Sequence, residues 1–449
     1  MKIKFLGAAG TVTGSSYVLT SGNGQSILID LGMFQGLPAI DKLNYQPFDY
    51  DCSKLIGVVL THAHLDHCGR LPILLPKGYQ GKIWMTRPTE ELTEISLLDS
   101  AKINREDKTK ILYDTELAEK TIMRFKTVEY RAPFQIGSFT ITMRDAGHIL
   151  GSASLEIEDS HADSEIKKII FSGDLGNSPE DLLMETEMLE NADAVVMEST
   201  YGDRLHSTQE PADIVQAEIN TIEKTGGTLM IPAFALERTQ ELLHTIMHLK
   251  KDKKIKQETP VFLDSPMAEK ATDVYMHFPE IFNDHTRHDL DEGTIFAFPG
   301  LEILIRREQS QSIHRLKGAK VIIAGSGMMT GGRILSHAKQ YLSDANNRLL
   351  IVGYQGEGTL GREISEGSKL VTIEKSTVLI NASVNTTNSM SSHADQGQLM
   401  KWLKNIKNVK KVVLTHGEDT SRTVLAERIS KELEISDVKL PILNQEIDI

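Results

Sequence analysis

The chain has 449 residues, 40% hydrophobic and 25% charged, with a formal net charge of −13. That length exceeds one ordinary core and predicts two domains, one interrupting the other, while the composition excludes a disordered chain and no apolar run nears the ~20 residues of a membrane helix. The acidic balance argues against a general nucleic-acid binder, whose affinity comes from Lys and Arg on phosphates, but not against an enzyme that grips phosphate locally. Cys52 and Cys68 are the only cysteines, so no disulfide framework is expected. The start "MKIKFLGAAG" is too short in apolar residues and too glycine-broken for a signal peptide, and a cytoplasmic location is the expectation.

Short strands open the chain: "KIKFL", "SSYVLT", "SILID" and "LIGVVLTH", separated by turn residues. Helical patterning follows around Leu71 to Leu75, and from Glu90 into a charged stretch near residues 100–126. Strands return in "FTITMRDAGH", "SASLEIED", "KKIIFSGD" and "AVVMEST". From about residue 207, amphipathic helices ("DIVQAEINTIEK", "RTQELLHTIMHLKK") alternate with apolar strands ("GTLMIPA", "PVFLD", "AKVIIAG", "NRLLIVG"). That alternation predicts a parallel sheet flanked by helices. After about residue 375 the strand-and-turn texture resumes, with "KKVVLTHGE" and a last helix from Thr420 to Leu433. The expected organisation is a first domain in two parts, 1–206 and 376–449, around an inserted α/β domain, 207–375.

The run Val-Val-Leu-Thr-His occurs twice, at 58–62 and 412–416, which suggests a pseudo-symmetric fold whose halves each end a strand in a histidine. The first copy continues into "THAHLDH", where His62, His64, Asp66 and His67 fall within six positions. At a strand end, His62 and His64 can reach one metal, and Asp66 and His67 a neighbour. Three further residues stand at strand-to-loop junctions: His148 in "RDAGHILGS", Asp174 in "IIFSGDLG" and His416 in the second copy. Imidazole and carboxylate donors without thiolate suit zinc in a catalytic role.

THAHLDH with His148, Asp174 and His416 resembles the metallo-β-lactamase superfamily. The segments "MESTYGDR", "GSGMMTGGR" and "SSHAD" resemble its β-CASP branch, the ribonucleases related to the cleavage and polyadenylation specificity factor endonuclease, in their compact bacterial form. The resemblance implies an αββα sandwich interrupted by a Rossmann-like β-CASP domain. It also implies two zinc ions and hydrolysis of phosphodiester bonds in single-stranded RNA, endonucleolytic with 5′-exonuclease action as an addition. His62, His64 and His148 would hold one zinc; Asp66, His67 and His416 the other; Asp174 would bridge them, and a hydroxide between the ions would attack. His393, in the serine-rich turn "SMSSHADQ", matches the general acid, and Glu198 the acidic residue that raises its pKa. Asp30 matches an aspartate that orients a ligand imidazole.

The stretch "VIIAGSGMMTGGRILSHAKQ" reads as strand, glycine loop and helix, a place where backbone N–H groups receive phosphate. Gly325, Ser326, Gly327 and Arg333 are therefore candidate RNA contacts, together with Arg238, Arg362, Ser391 and Ser392. The expected partner is single-stranded RNA, with a homodimer as the expected assembly. Two other functions stand beside this one: a metallo-hydrolase of a small ester or thioester, and a non-catalytic scaffold in RNA processing. The first would not need the inserted domain, His393 or Glu198. The second would be expected to lack metal ligands.

Overall fold

In the strand Ser26–Ile29, Ile27 and Ile29 enter one hydrophobic cluster and Leu28 another. The two-residue period of a strand is thus buried on both faces, which explains why the strands read as near-continuous apolar runs. Leu55–Val59 does the same, with Val59 in the first cluster and Val58 in the second. The computed structural model describes residues 1–106, 111–162, 165–178, 181–293 and 295–449.

Two seven-stranded sheets share that first cluster. One runs, in spatial order, Glu446–Asp448, Lys2–Phe5, Tyr17–Thr20, Ser26–Ile29, Leu55–Val59, Ile83–Thr86 and Phe125–Val128. The other runs Asp437–Lys439, Lys411–Leu414, Ala194–Met197, Lys168–Phe171, Ala153–Asp159, Phe139–Asp145 and Phe134–Ile136. Phe5, Leu19 and Ile29 from one sheet meet Ile141, Leu155 and Phe171 from the other. The outer face of the first sheet is covered by the helices Arg87–Glu106 and Thr115–Ile122, through Leu97, Ala101 and Ala118. The helices Gln396–Asn405 and Asp419–Glu432 cover the second through Leu399, Leu403, Leu425 and Ile429. The layers are therefore α, β, β and α.

The repeated run occupies matching places in the two sheets. Val59 and Val413 both enter the central cluster, while Val58 and Leu60 face one helical layer and Val412 and Leu414 the other. Each copy lies in a parallel stretch, with Leu55–Val59 between Ser26–Ile29 and Ile83–Thr86, and Lys411–Leu414 between Ala194–Met197 and Asp437–Lys439.

This sandwich is one compact unit, Met1–Leu205 with His393–Ile449; His206–Ser392 is a second. The second contains a six-stranded, wholly parallel sheet in the order Leu301–Ile303, Val261–Asp264, Lys320–Ala324, Thr228–Pro232, Arg348–Ile351 and Ser383–Thr386. Ile334 and Ala338 of the helix Arg333–Tyr341 pack on Met230, Ile322 and Leu349 of that sheet. The hairpin Leu370–Ile373 and Ser376–Leu379 adds Val371, Ile373 and Val378 to the same cluster. The architecture is the expected α/β sandwich with an inserted parallel-sheet unit. By backbone pairing, the second unit extends past the expected boundary at 375, because Ser383–Thr386 pairs with Arg348–Ile351. The helical patterning around Leu71 to Leu75 is a 3-10 turn, Leu71–Leu74. The charged stretch becomes two helices, with residues 107–110 outside the described residues.

Leu155 is fully buried at the centre of the sandwich, whereas Ile442 is exposed. Leu155→Ala is expected to lower unfolding free energy by about 3 kcal/mol in denaturant titrations, and Ile442→Ala to change it by less than about 0.5 kcal/mol.

Candidate metal centre

The strand Leu55–Val59 leads directly into the donor run. His62 and His64 follow in extended chain, and His64, at φ −64° and ψ 144°, begins the helical turn Leu65–Cys68. That turn swings Asp66 and His67 back towards the first two. Its carbonyls are fixed from outside: the N–H groups of Met33, Ser15 and Leu31 donate to Leu65, Asp66 and His67 at 2.7, 2.9 and 2.8 Å. Gly32 lies so close beneath that a Cβ there would sit 1.5 Å from the Asp66 carbonyl oxygen, so only glycine permits this approach.

The other donors arrive on loops at the ends of alternate strands of the second sheet. His148 follows Phe139–Asp145, with its N–H on Ser152 Oγ at 3.0 Å. Asp174 follows Lys168–Phe171, and the next two residues are clipped in place: Leu175 N–H donates to Glu198 Oε1 at 2.7 Å and Gly176 N–H to the Ala146 carbonyl at 2.8 Å. His416 takes a left-handed backbone at φ +47°, with its N–H on the Ala8 carbonyl at 2.8 Å.

The seven candidate ligands converge. Donor atoms of His62, His64, His148 and Asp174 all lie within 4.8 Å of one another, as do those of Asp66, His67 and His416. His62 Nε2 and His67 Nε2 approach Asp174 Oδ2 at 3.5 and 3.3 Å, His416 Nδ1 approaches Asp174 Oδ1 at 3.7 Å, and His416 Nε2 approaches Asp66 Oδ2 at 3.3 Å. Asp174 is thus the residue shared by both groups. Asp30, also left-handed at φ +55°, accepts from His67 Nδ1 at 2.8 Å and from the Thr61 N–H and hydroxyl at 2.8 Å each. Holding Nδ1 in this way turns Nε2 inward, as a metal-binding imidazole requires. Thr61 Oγ1 stands 3.1 Å from His62 Nδ1, and Thr200 Oγ1 stands 3.0 Å from His416 Nδ1. Reading the sequence did not single out Thr61, Thr200 or Ser15, whose hydroxyl is 3.2 Å from His67 Nε2; the threonine before the first repeated histidine was the available signal for Thr61 alone.

The charge states suit a cation. Burial holds His62 well below its usual pKa and lowers His64 to about 4, so both present neutral nitrogens. Burial opposes charge on Asp66 and Asp174, but the surrounding histidines keep both carboxyls below their ordinary range. Burial also opposes charge on His67, yet Asp174 and Asp30 raise its pKa well above the usual value. The neutral imidazoles of His62 and His64 beside the ionised Asp66 and Asp174 are in the donor state that metal binding needs, whereas His67 must give up its proton to join them. His62 Nε2 and both Asp174 oxygens are buried without a hydrogen-bond partner, a condition that costs roughly 1–3 kcal/mol per group and that a coordinated cation removes. No thiolate competes: Cys68 is buried, its Sγ donates to the Ala63 carbonyl at 3.3 Å, and burial pushes its thiol well up. The residues fit a metal of the zinc class.

His393 stands beside this cluster. Its backbone bridges to Gly176, and the Ala394 N–H donates to the Leu175 carbonyl at 2.8 Å. A reciprocal cap between Asp395 and Gln398, at 2.9 and 2.8 Å, starts the following helix. His393 Nδ1 lies 3.4 Å from Glu198 Oε1 and 3.9 Å from Asp174 Oδ2, and its side chain is 16% exposed. Burial works against protonation, but the Glu198 carboxylate more than offsets it, with Asp174 and Asp66 adding, and the pKa is pushed up to about 9.

The remaining candidate contacts belong to the second unit. Arg333 donates to Asp264 at 2.5 Å and to the carbonyls of Leu304 and Ile305. Arg238 is buried, paired with Glu241 and donating to Ser392 Oγ at 2.9 Å. Arg362 pairs with Glu366 at 2.5 Å. All three charges are matched by carboxylates within the unit. In the glycine loop, Gly325 accepts the Ile334 N–H, and Ser326 Oγ accepts from the Thr330 and Gly331 N–H groups at 2.9 and 3.2 Å. Gly327 lies against the Phe234 ring, where a Cβ would come within 2.5 Å, and Ser391 is buried with its N–H on the Asn388 carbonyl.

Residues 9–130 match the family model described as metallo-beta-lactamase superfamily, 239–364 the Beta-Casp domain, and 377–441 the Zn-dependent metallo-hydrolase RNA specificity domain. The chain is 38% identical over 435 residues to Ribonuclease TTHA0252 of Thermus thermophilus, covering 96% of each. It is 31% identical to RNase aCSPSF2 of Saccharolobus solfataricus, covering 100% of this chain and 85% of that one. Transcription termination factor FttA of Methanosarcina mazei is 30% identical, with 97% and 70% covered.

Asp30 acts on the centre only through His67 and Thr61. Asp30→Asn is expected to weaken zinc binding ~10–100-fold in competition with a chromogenic chelator, with the circular-dichroism spectrum unchanged. Equal affinity would show that the His67 orientation does not depend on this carboxylate.

Proposed function

The chain belongs to the β-CASP branch of the metallo-β-lactamase superfamily, and on that footing we propose that it is a zinc-dependent ribonuclease cutting single-stranded RNA. The observation that carries this reading is the His393–Glu198 pair, 3.4 Å apart, beside a buried seven-donor cluster. A simple ester hydrolase needs the donors but not a carboxylate-supported acid. The relatives named as ribonucleases and the match to an RNA specificity domain support RNA as the substrate.

His62, His64 and His148 would hold one zinc and Asp66, His67 and His416 the other, with Asp174 shared between them. Bound there, two zinc ions would supply Lewis acidity to a phosphoryl oxygen and acidify the attacking water. The chain's own residues do the rest. Asp30 and Thr200 hold His67 and His416 in orientation. Glu198 faces His393 Nδ1 and keeps the ring protonated at neutral pH, so that Nε2 can deliver a proton to the leaving oxygen. One phosphodiester and one water then yield a phosphomonoester and an alcohol. The proton that His393 gives to the leaving oxygen is replaced by one from the attacking water.

Zinc-loaded protein is expected to cut a 5′-labelled single-stranded RNA at internal positions, and a chelated sample to leave it whole. Mononucleotides released from the 5′ end would add exonuclease action. His393→Ala should slow cleavage ~10²–10⁴-fold. An RNA left intact by fully metallated protein would contradict the reading and favour a small-molecule hydrolase or a scaffold.

Loss of the His393 proton should bring a fall in rate at high pH. The raised pKa means the acid form is present below about pH 9 and disappears above it. Glu198→Gln keeps an acceptor for the Leu175 N–H but removes the charge, so the falling limb should move down by ~1–3 pH units. A pH–rate profile with an unmoved limb would remove His393 from the acid role.

A further inference from the structure

A second group of donors lies in the second unit, on two helices that the nuclease reading does not use. His244 and His248 stand four residues apart on Arg238–Lys251, and His285 and Asp289 four apart on Asp284–Glu292. Spacing of four puts each pair on one helical face. Donor atoms of all four residues lie within 4.8 Å of one another.

The distances are specific. His244 Nε2 and His248 Nε2 approach Asp289 Oδ2 at 3.2 and 2.9 Å, and each other at 3.2 Å. The three atoms form a near-equilateral triangle, and His285 Nδ1 adds a fourth position 3.3 Å from the same oxygen. Zinc bonds of about 2.0–2.1 Å at tetrahedral angles place neighbouring donors about 3.3 Å apart. These four separations are therefore those of four of the six edges of a zinc tetrahedron.

Hydrogen bonding alone explains this poorly. Three imidazoles would crowd a single carboxylate oxygen, and His244 and His248 would direct two Nε2 protons into one small volume. The other oxygen, Asp289 Oδ1, is left to Lys251, whose Nζ is 3.8 Å away and also pairs with Glu292 at 2.7 Å. The site is closed at its base and open at its rim. His244 is fully buried, whereas the side chains of His248 and His285 are 28% and 67% exposed. An ion therefore has a way in from solvent.

We infer that His244, His248, His285 and Asp289 form a zinc site, distinct in its residues from the candidate metal centre, that ties the helices Arg238–Lys251 and Asp284–Glu292 together. All four positions come from protein side chains, as in zinc sites that stabilise folds rather than perform chemistry. The donors are imidazole and carboxylate, so zinc fits better than calcium or magnesium, which prefer oxygen alone.

The test is metal counting on the full chain. Wild type, His248→Ala and His285→Ala are dialysed against excess zinc, freed of loose metal by gel filtration and assayed by atomic emission. Both positions reach solvent, so neither variant opens a hole in the core, and equal unfolding midpoints in chelator would verify that. Each variant is expected to hold one zinc fewer per chain than wild type, while RNA cleavage, if present, runs at the wild-type rate. Equal zinc counts in all three proteins would overturn the site, whatever the outcome at the nuclease centre. Equal counts in one variant and a loss in the other would also overturn the four-ligand assignment.

Discussion

Asp174 is buried with both oxygens lacking a hydrogen-bond partner, while His62, His67 and His416 approach it at 3.5, 3.3 and 3.7 Å. A carboxylate in such a place is tolerable only if opposite charge sits beside it. The first unit is organised around that requirement. Strand ends in both sheets bring imidazoles to one carboxylate, and an outer ring of Asp30, Thr61 and Thr200 fixes which nitrogen of each faces inward. Two of the left-handed non-glycine residues fall here, Asp30 and His416, in a conformation that such residues hold only when their surroundings over-determine it.

The loop carrying Asp174 also couples the donor cluster to His393. Leu175 gives its N–H to Glu198 and its carbonyl to Ala394, and Gly176 bridges His393. Three backbone contacts within two residues thus set the ligand, the acid and the partner of that acid in one frame. A shift of any one would misplace the other two, and positioning at this scale is where catalytic rate is commonly lost.

Much of this was legible in the sequence because its signals are local. The repeated Val-Val-Leu-Thr-His run marks two strands that bury the same residues in the same layers, Val59 with Val413 in the centre and Leu60 and Leu414 outside. The H-x-H-x-D-H run and its glycine-flanked companions mark the donors. What escaped depends on long-range pairing. That Arg333 answers Asp264, and Arg238 answers Glu241 and Ser392, follows from packing that a β–α turn signal does not carry. The limit of the second unit followed the pairing of Ser383–Thr386 rather than the change of texture at 375. His244 and His248 passed as ordinary amphipathic helix residues and His285 and Asp289 were not singled out, because each pair is unremarkable until the two helices meet.

The central claim is that the buried donors of the first unit hold metal. Anomalous scattering from crystals of the zinc-loaded protein, recorded on both sides of the zinc absorption edge, tests it directly. In the first unit the account predicts two peaks, one among His62, His64, His148 and Asp174 and one among Asp66, His67, His416 and Asp174. No peak at either place, with His67 still turned to Asp174 in the density, would contradict it.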